Sequence, residues 1–343
     1  MAAGLTEGVM GDLQGELIRL IELGDLDELT RLIDRLGAAG DWDGLVDLRD
    51  RCRAALERGK QLWPAASLAE YRLALEAPGP WAASVLVPGA GRFALGPLSE
   101  VAASSHTWAE LAPHVPPGPL AAVTANERVV RGEDLRADGS IDGSVLELPL
   151  ALEPWEPAYP VAAYHPDRVE APAPSPPALG DLQVMQDAAA PDDAAAPDEG
   201  RRALLELVTA WTAESNGRAE AVALTGGGPD ALRALGVRRY RTVPLEPAAA
   251  MATMAWCGAS GGAHGRRRGM AAGRFAAWWA VAALADLLDA WPLTGAELGR
   301  AAQRLRWWLW DVGEPETGWV LHLAVEDPGS GRAWALNAVD AAS

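Results

Sequence analysis

Eleven consecutive residues, Phe275 to Ala285 (FAAWWAVAALA), carry no charge. A helix that is apolar on every side has no face to give to water, so it must lie inside a packed core. The run is about half the roughly 20 residues needed to cross a bilayer, so no membrane span is expected. The rest of the second half therefore has to supply its cover. Trp308, Trp310 and Val312 alternate, as do Trp319, Leu321, Leu323 and Val325, and Asp327-Pro328-Gly329-Ser330-Gly331 leads to Ala333–Ala338. Alternation with period two, broken by a Pro-Gly turn, predicts a three-stranded antiparallel meander. That sheet is the expected cover.

Upstream of the apolar run the pattern predicts a helix over Arg201–Thr212, strands over Ala219–Thr225 and Arg238–Val243, and a helix over Pro247–Cys257. A further helix is expected over Thr294–Leu305. Gly226-Gly227-Gly228 between strand and helix has the outline of a phosphate loop. Asp230, however, occupies the first turn, where it repels an anion, so a tight structural turn is expected.

The first half reads differently. Residues 1–200 hold 33 acids against 14 bases, whereas residues 201–343 hold 14 acids and 15 arginines, so the net charge of -18 belongs to the first half. An acidic half repels phosphate backbones, and no general nucleic-acid binding is expected. Leu13, Leu17, Ile18, Leu20 and Ile21 share one helical face that ends at Gly24. Gly24-Asp25-Leu26-Asp27-Glu28-Leu29 then returns as Gly40-Asp41-Trp42-Asp43-Gly44-Leu45. In each copy the first aspartate is placed to cap a helix. Leu29, Leu32, Ile33 and Leu36 form one stripe and Leu45, Leu48, Cys52 and Leu56 the next. Trp63-Pro64 opens a third helix with Leu68, Tyr71 and Leu75 inward. Such units pack as helical hairpins, loosely like an α-solenoid. Further on, Ala82–Val87 suggests a short strand, and Ser105–Leu111 and Pro119–Val130 suggest helices. His106 and His114 have no third ligand nearby, and no metal site is expected.

Between the halves, residues 145–169 are rich in proline and aromatics, so they should run extended, docking through Trp155, Tyr159 and Tyr164. Residues 171–200 are dominated by Ala, Pro and Asp, the composition of a disordered linker with Leu182–Met185 as its one apolar segment. The expected fold is therefore α+β and helix-rich. An acidic α-helical hairpin array (residues 1–135) is followed by an extended segment and linker (136–200). A compact domain (201–343) then packs an apolar central helix on a small, mostly antiparallel sheet.

Several chemistries are excluded by residue usage. Lys60 is the only lysine, and its setting, ERGKQLW, fits neither a P-loop nor a Schiff base. Cys52 and Cys257 lie in apolar helical patterns and are expected as reduced core residues. The opening MAAGLTEGVMGDLQGEL lacks a basic n-region and an apolar h-region, so a cytoplasmic location is expected.

The stretch that carries chemistry is Gly258 to Trp279, GASGGAHGRRRGMAAGRFAAWW. Arg266, Arg267, Arg268 and Arg274 lie before or within the first turns of a helix, where cations oppose the dipole. A negative group is expected between them and the free N–H groups. The candidate anion- or ligand-binding residues are Ser260, Gly261, Gly262, His264, Arg266, Arg267, Arg268 and Arg274. Arg266-x-x-Gly269-x-Ala271 is similar, over six residues, to the loop with which acetyltransferases hold the pyrophosphate of coenzyme A, which implies a phosphate-bearing ligand. Gly258-Ala259-Ser260-Gly261-Gly262 satisfies G-x-S-x-G. Asp311 and His322 follow it in the chain order of α/β-hydrolase triads. The candidate catalytic residues are thus Ser260, Asp311 and His322, with His264 nearer in sequence. That elbow needs a preceding strand, whereas Pro247–Trp256 reads as helix. The remaining reading pairs the arginines with an acidic protein partner or with the chain's own acidic half. The functional expectation is a non-catalytic cytoplasmic adaptor with an anion-binding Gly/Arg loop and no cofactor. The alternative is an enzyme that binds a nucleotide or acyl-coenzyme A.

Overall fold

The computed structural model describes residues 14–175, 177–185, 198–314 and 317–341. Leu13 and residues 186–197 of the expected linker lie outside them. The chain forms two compact units, Met1–Thr124 with Ala163–Glu170, and Ala125–Ala162 with Ala171–Ser343. The boundaries read from composition, at residues 135 and 200, differ from this division. Composition reports how well a segment is solvated, not which core its aromatic residues fill.

In the first unit the helical residues 14–23 end at Gly24, which takes a left-handed φ of 71°. The helices Leu26–Ala39 and Trp42–Ala54 follow. The near-repeat works as a pair of caps, with Asp25 accepting from the Glu28 N–H at 3.1 Å and Asp41 from the Gly44 N–H at 2.9 Å. Leu29, Leu32, Ile33, Leu45, Leu48 and Cys52 are buried, whereas Leu56, expected on the second of these stripes, and Ile18, expected on the inward face of the preceding helix, are exposed. Trp63–Glu76 packs against both helices and against Leu98–Ser105.

Because it is enclosed on several sides, Trp63–Glu76 buries polar residues too. Glu70 accepts the Gly91 N–H at 2.5 Å and pairs with Arg53 at 2.5 Å. Ala82–Val87 is not a strand. Pro80 is the second residue of the helix Gly79–Ser84, in the first turn, which suits a ring with fixed φ and no N–H. The expected helix over Ser105–Leu111 is broken at His106, after which Thr107 and Glu110 form a capping box on Trp108–Leu111. A hairpin of β1 (Ala163–Tyr164) and β2 (Val169–Glu170) joins this unit. Tyr164 donates to Glu100 at 2.6 Å, and Tyr71 donates to the His165 carbonyl at 2.5 Å.

The second unit is built on a six-stranded sheet. Its strands are β3 (Gln183–Val184), β4 (Arg218–Thr225), β5 (Arg239–Leu245), β6 (Arg306–Asp311), β7 (Trp319–Asp327) and β8 (Arg332–Asp340). Their order is β3-β5-β6-β7-β8-β4, and every neighbouring pair is antiparallel. The expected meander is its centre, β6-β7-β8. The outer pairings join strands distant in sequence, and no local signal specifies them. Alternation divides the faces cleanly. Leu321, Leu323, Val325, Trp334 and Leu336 face the larger core. Val222, Leu224, Trp310, Ala324 and Ala335 pack on the other side with the helix Gly228–Ala234.

The apolar run lies in the helix Met270–Leu284 and shares the larger core with the sheet. Its packing partners include the helices Pro247–Ala259, Glu199–Glu206 and Gly295–Arg304. The helix expected over Arg201–Thr212 is two, Glu199–Glu206 and Thr209–Ala213. Gly227–Gly228 is a structural turn, its amides accepted by Asp230 at 3.1 Å and Glu326 at 3.4 Å. Among the described residues no helix is long and apolar enough to cross a membrane.

Candidate ligand pocket

The Gly/Arg stretch is a compact connection between the helices Pro247–Ala259 and Met270–Leu284. Gly261 and Gly265 approach so closely that a Cβ on Gly261 would lie 2.2 Å from the Gly265 carbonyl oxygen. The Ala263 N–H donates to Asp340 at 2.6 Å, and the His264 N–H to Ser215 at 3.0 Å, with His264 itself exposed. Ser260 follows a helix rather than a strand and is buried. Its hydroxyl accepts from the Trp211 indole at 2.7 Å and donates to the Cys257 carbonyl at 3.1 Å. An elbow serine stands exposed above a strand; Ser260 instead closes a helix C-terminus.

The structure supplies the negative groups that this helix start required. Glu127 accepts the Ala271 N–H at 2.8 Å and also pairs with Arg131 at 3.1 Å. Glu214 accepts from the Arg266 N–H and from Arg268, each at 3.3 Å. Arg267 is partly buried in the same connection. Arg274 is fully buried and unavailable to any ligand, which corrects its expected role. Its guanidinium donates to Glu156 at 2.7 and 2.8 Å and to the carbonyls of Pro149 and Ala151 at 2.9 and 3.0 Å. Tyr159 and Trp278 also donate to Glu156, at 2.6 and 3.1 Å. Burial alone would raise the Glu156 pKa, but the hydrogen bonds and charge of Arg274 outweigh it and hold the carboxyl below its ordinary value.

Asp311 and His322 are brought together elsewhere, without Ser260. They line a cavity of about 740 Å³ within the second unit. The helix Pro247–Ala259 forms one wall through Ala249, Ala252, Thr253 and Trp256. The sheet contributes Leu245, Leu309 and Leu321, and Ala173, Pro174, Ser175, Pro177 and Leu179 of the proline-rich stretch line it as well. That stretch, expected as disordered linker, is anchored at its end by the Gly180 N–H on the Thr242 carbonyl at 3.1 Å and by β3 on β5. Proline suits it because a segment beside an edge strand need not donate from every residue.

At the polar end of the cavity Arg241 grips Asp311 with two hydrogen bonds of 2.8 and 2.5 Å. The Gly313 N–H adds a third at 3.0 Å. These donors, led by Arg241, keep the Asp311 carboxyl below its ordinary pKa despite partial burial. His322 lies mid-strand and stacks on Trp310 at 4.3 Å. Burial pushes its pKa down, so it is neutral at neutral pH. The pocket thus presents apolar surface, aromatic rings and a fixed ion pair. A volume in the range of 300–1,000 Å³, mostly apolar with few polar groups, is that of a small-molecule site. Sequence reasoning reached Asp311 and His322 but missed Trp256, Arg241 and the proline strap. Only the unlike spacing of their segments, far apart in sequence, separates these residues. Among the described residues no group of three or more His, Cys, Asp or Glu could hold a metal.

Fold and site together define a helix-rich α+β protein with a largely apolar cavity beside an antiparallel sheet. The chain belongs to a family of unknown function, DUF6183, whose model matches residues 27–342. No curated protein and no solved structure matches it.

Proposed function

We propose that the protein acts by binding rather than by turnover, and that its second unit receives a small, largely apolar molecule in the pocket beside Trp256. The observation that carries this reading is the 740 Å³ cavity itself, walled by Leu245, Ala249, Trp256 and Leu321 and bordered by the Arg241–Asp311 pair. An adaptor role fits this reading, with the bound molecule setting when a partner is engaged. Support for binding over hydrolysis comes from Ser260, whose hydroxyl is committed to Trp211 and Cys257 away from Asp311 and His322.

The test is occupancy. Nile red, a neutral apolar dye, is expected to brighten on adding the full chain, and a compound screen to contain molecules that raise its melting temperature. Both signals should vanish in Ala249→Trp and in Thr253→Trp, which fill the cavity from a half-buried helix face and leave the far-UV circular dichroism intact. Dye binding that survives both substitutions would remove the pocket as the site.

A further inference from the structure

The charges around the pocket are not balanced, and this bears on what it can hold. Its lining includes one guanidinium, Arg241, and two carboxylates, Asp311 and Glu314. Arg241 is committed to Asp311 through two hydrogen bonds, so that pair presents little net charge. Glu314 is exposed and has no ion-pair partner among the described residues. His322 adds no positive charge at neutral pH, because burial favours its neutral form. Among the described residues the lining therefore carries one uncompensated negative charge, in a chain whose net charge is -18. The walls are apolar, and Trp256 stacks on Trp319 at 5.2 Å, giving an aromatic surface beside the cavity.

A molecule that fits must bury an apolar body and leave its polar end near Glu314. A phosphate or carboxylate there would meet a like charge, with no uncommitted cation among the described lining residues to offset it. A protonated amine would gain an attraction to Glu314 and a favourable field from aromatic faces.

Building on the pocket assigned above, we propose that it selects a protonated amine on an apolar body over the isosteric alcohol and rejects the corresponding acid. Glu314 is the specificity-determining residue, because among the described residues it alone at the site carries unpaired charge. The Asp311–Arg241 pair is a fixed part of the wall.

Tryptamine, tryptophol and indole-3-propionic acid share one indole body and differ in the charge of the end group. Hexylamine, hexanol and hexanoate repeat the series on an aliphatic body. Calorimetric titration of the full chain should rank amine above alcohol above acid in at least one series. The amine should bind about five- to tenfold tighter than the alcohol, the size of a single partly solvated charge contact. Glu314→Gln should bring the amine to the level of the alcohol and leave the alcohol unchanged. An acid that binds as tightly as the amine, a preference that persists in Glu314→Gln, or no binding in either series would overturn the selectivity. Nile red binding reports on the pocket separately. If the dye binds and is expelled by Ala249→Trp while the amines show no preference, the selectivity fails and the pocket stands. If the wild-type chain does not bind the dye, both fall.

Discussion

Arg274 shows how much one residue can commit a fold. It is the only charge in an otherwise apolar helix, and its side chain and that of Glu156 are both fully buried. A buried ion pair gains little over a well-packed apolar pair, but losing one member strands the other charge. Arg274→Met is therefore expected to cost about 3–5 kcal/mol in urea unfolding. Arg274→Met with Glu156→Gln should recover part of that loss. Glu156 and Glu70 should also show opposite pH dependence. The folded pKa of Glu156 lies below its ordinary value, so its contribution is present above the unfolded value of about 4.3 and lost as pH falls. Glu70 is shifted upward, by burial first, with the Gly91 amide and Arg53 opposing, so its contribution is present at low pH and lost as pH rises. Urea midpoints between pH 3 and 7 should show Glu156→Gln with a shallower acid decline. Glu70→Gln should gain on the wild type toward neutral pH. The need for a negative group near Arg274 was legible, because a cation in the first turns of a helix opposes its dipole, but its burial was not. Nor was the partner's identity, since Glu156 lies 118 residues earlier.

Elements were the most legible level, because period two and period 3.6 are properties of a few neighbouring residues. The β6-β7-β8 meander and the paired Asp25 and Asp41 caps follow from such local patterns. Gly273 did not yield its meaning that way. A glycine inside a helix costs about 1 kcal/mol relative to alanine, and here the close crossing of two helices requires it. A Cβ on Gly273 would sit 2.1 Å from the Ala255 carbonyl oxygen, and one on Gly258 would sit 2.9 Å from the Cβ of Ala276. Gly273→Ala is expected to destabilise by roughly 2 kcal/mol despite its better helix propensity, as overpacking at a backbone contact does. Thermal denaturation beside the half-buried Ala272→Ser as control would check it. A rise in melting temperature would contradict the close crossing.

The second unit as a whole depends on chain that composition assigned elsewhere. Trp155 lies on Trp278 at 5.6 Å and donates to the Gly295 carbonyl at 2.8 Å, Tyr159 is in the core, and Glu127 meets the start of the central helix. A fragment beginning at Arg201 lacks all of these. It is expected to bind 8-anilinonaphthalenesulfonate and lose cooperative unfolding, whereas a fragment beginning at Ala125 should unfold in one sharp transition.

By itself the sequence determined the helix-rich α+β class, the meander, the helix caps and the requirement that an uncharged helix be enclosed. These depend on local periodicity and on the cost of exposing apolar surface or burying charge. Tertiary structure alone decided that Glu127 and Glu156 answer the central helix, that Ser260 is kept from Asp311 and His322, and that three distant segments enclose one pocket. Such meetings are set by how whole elements pack, and no run of neighbouring residues encodes them.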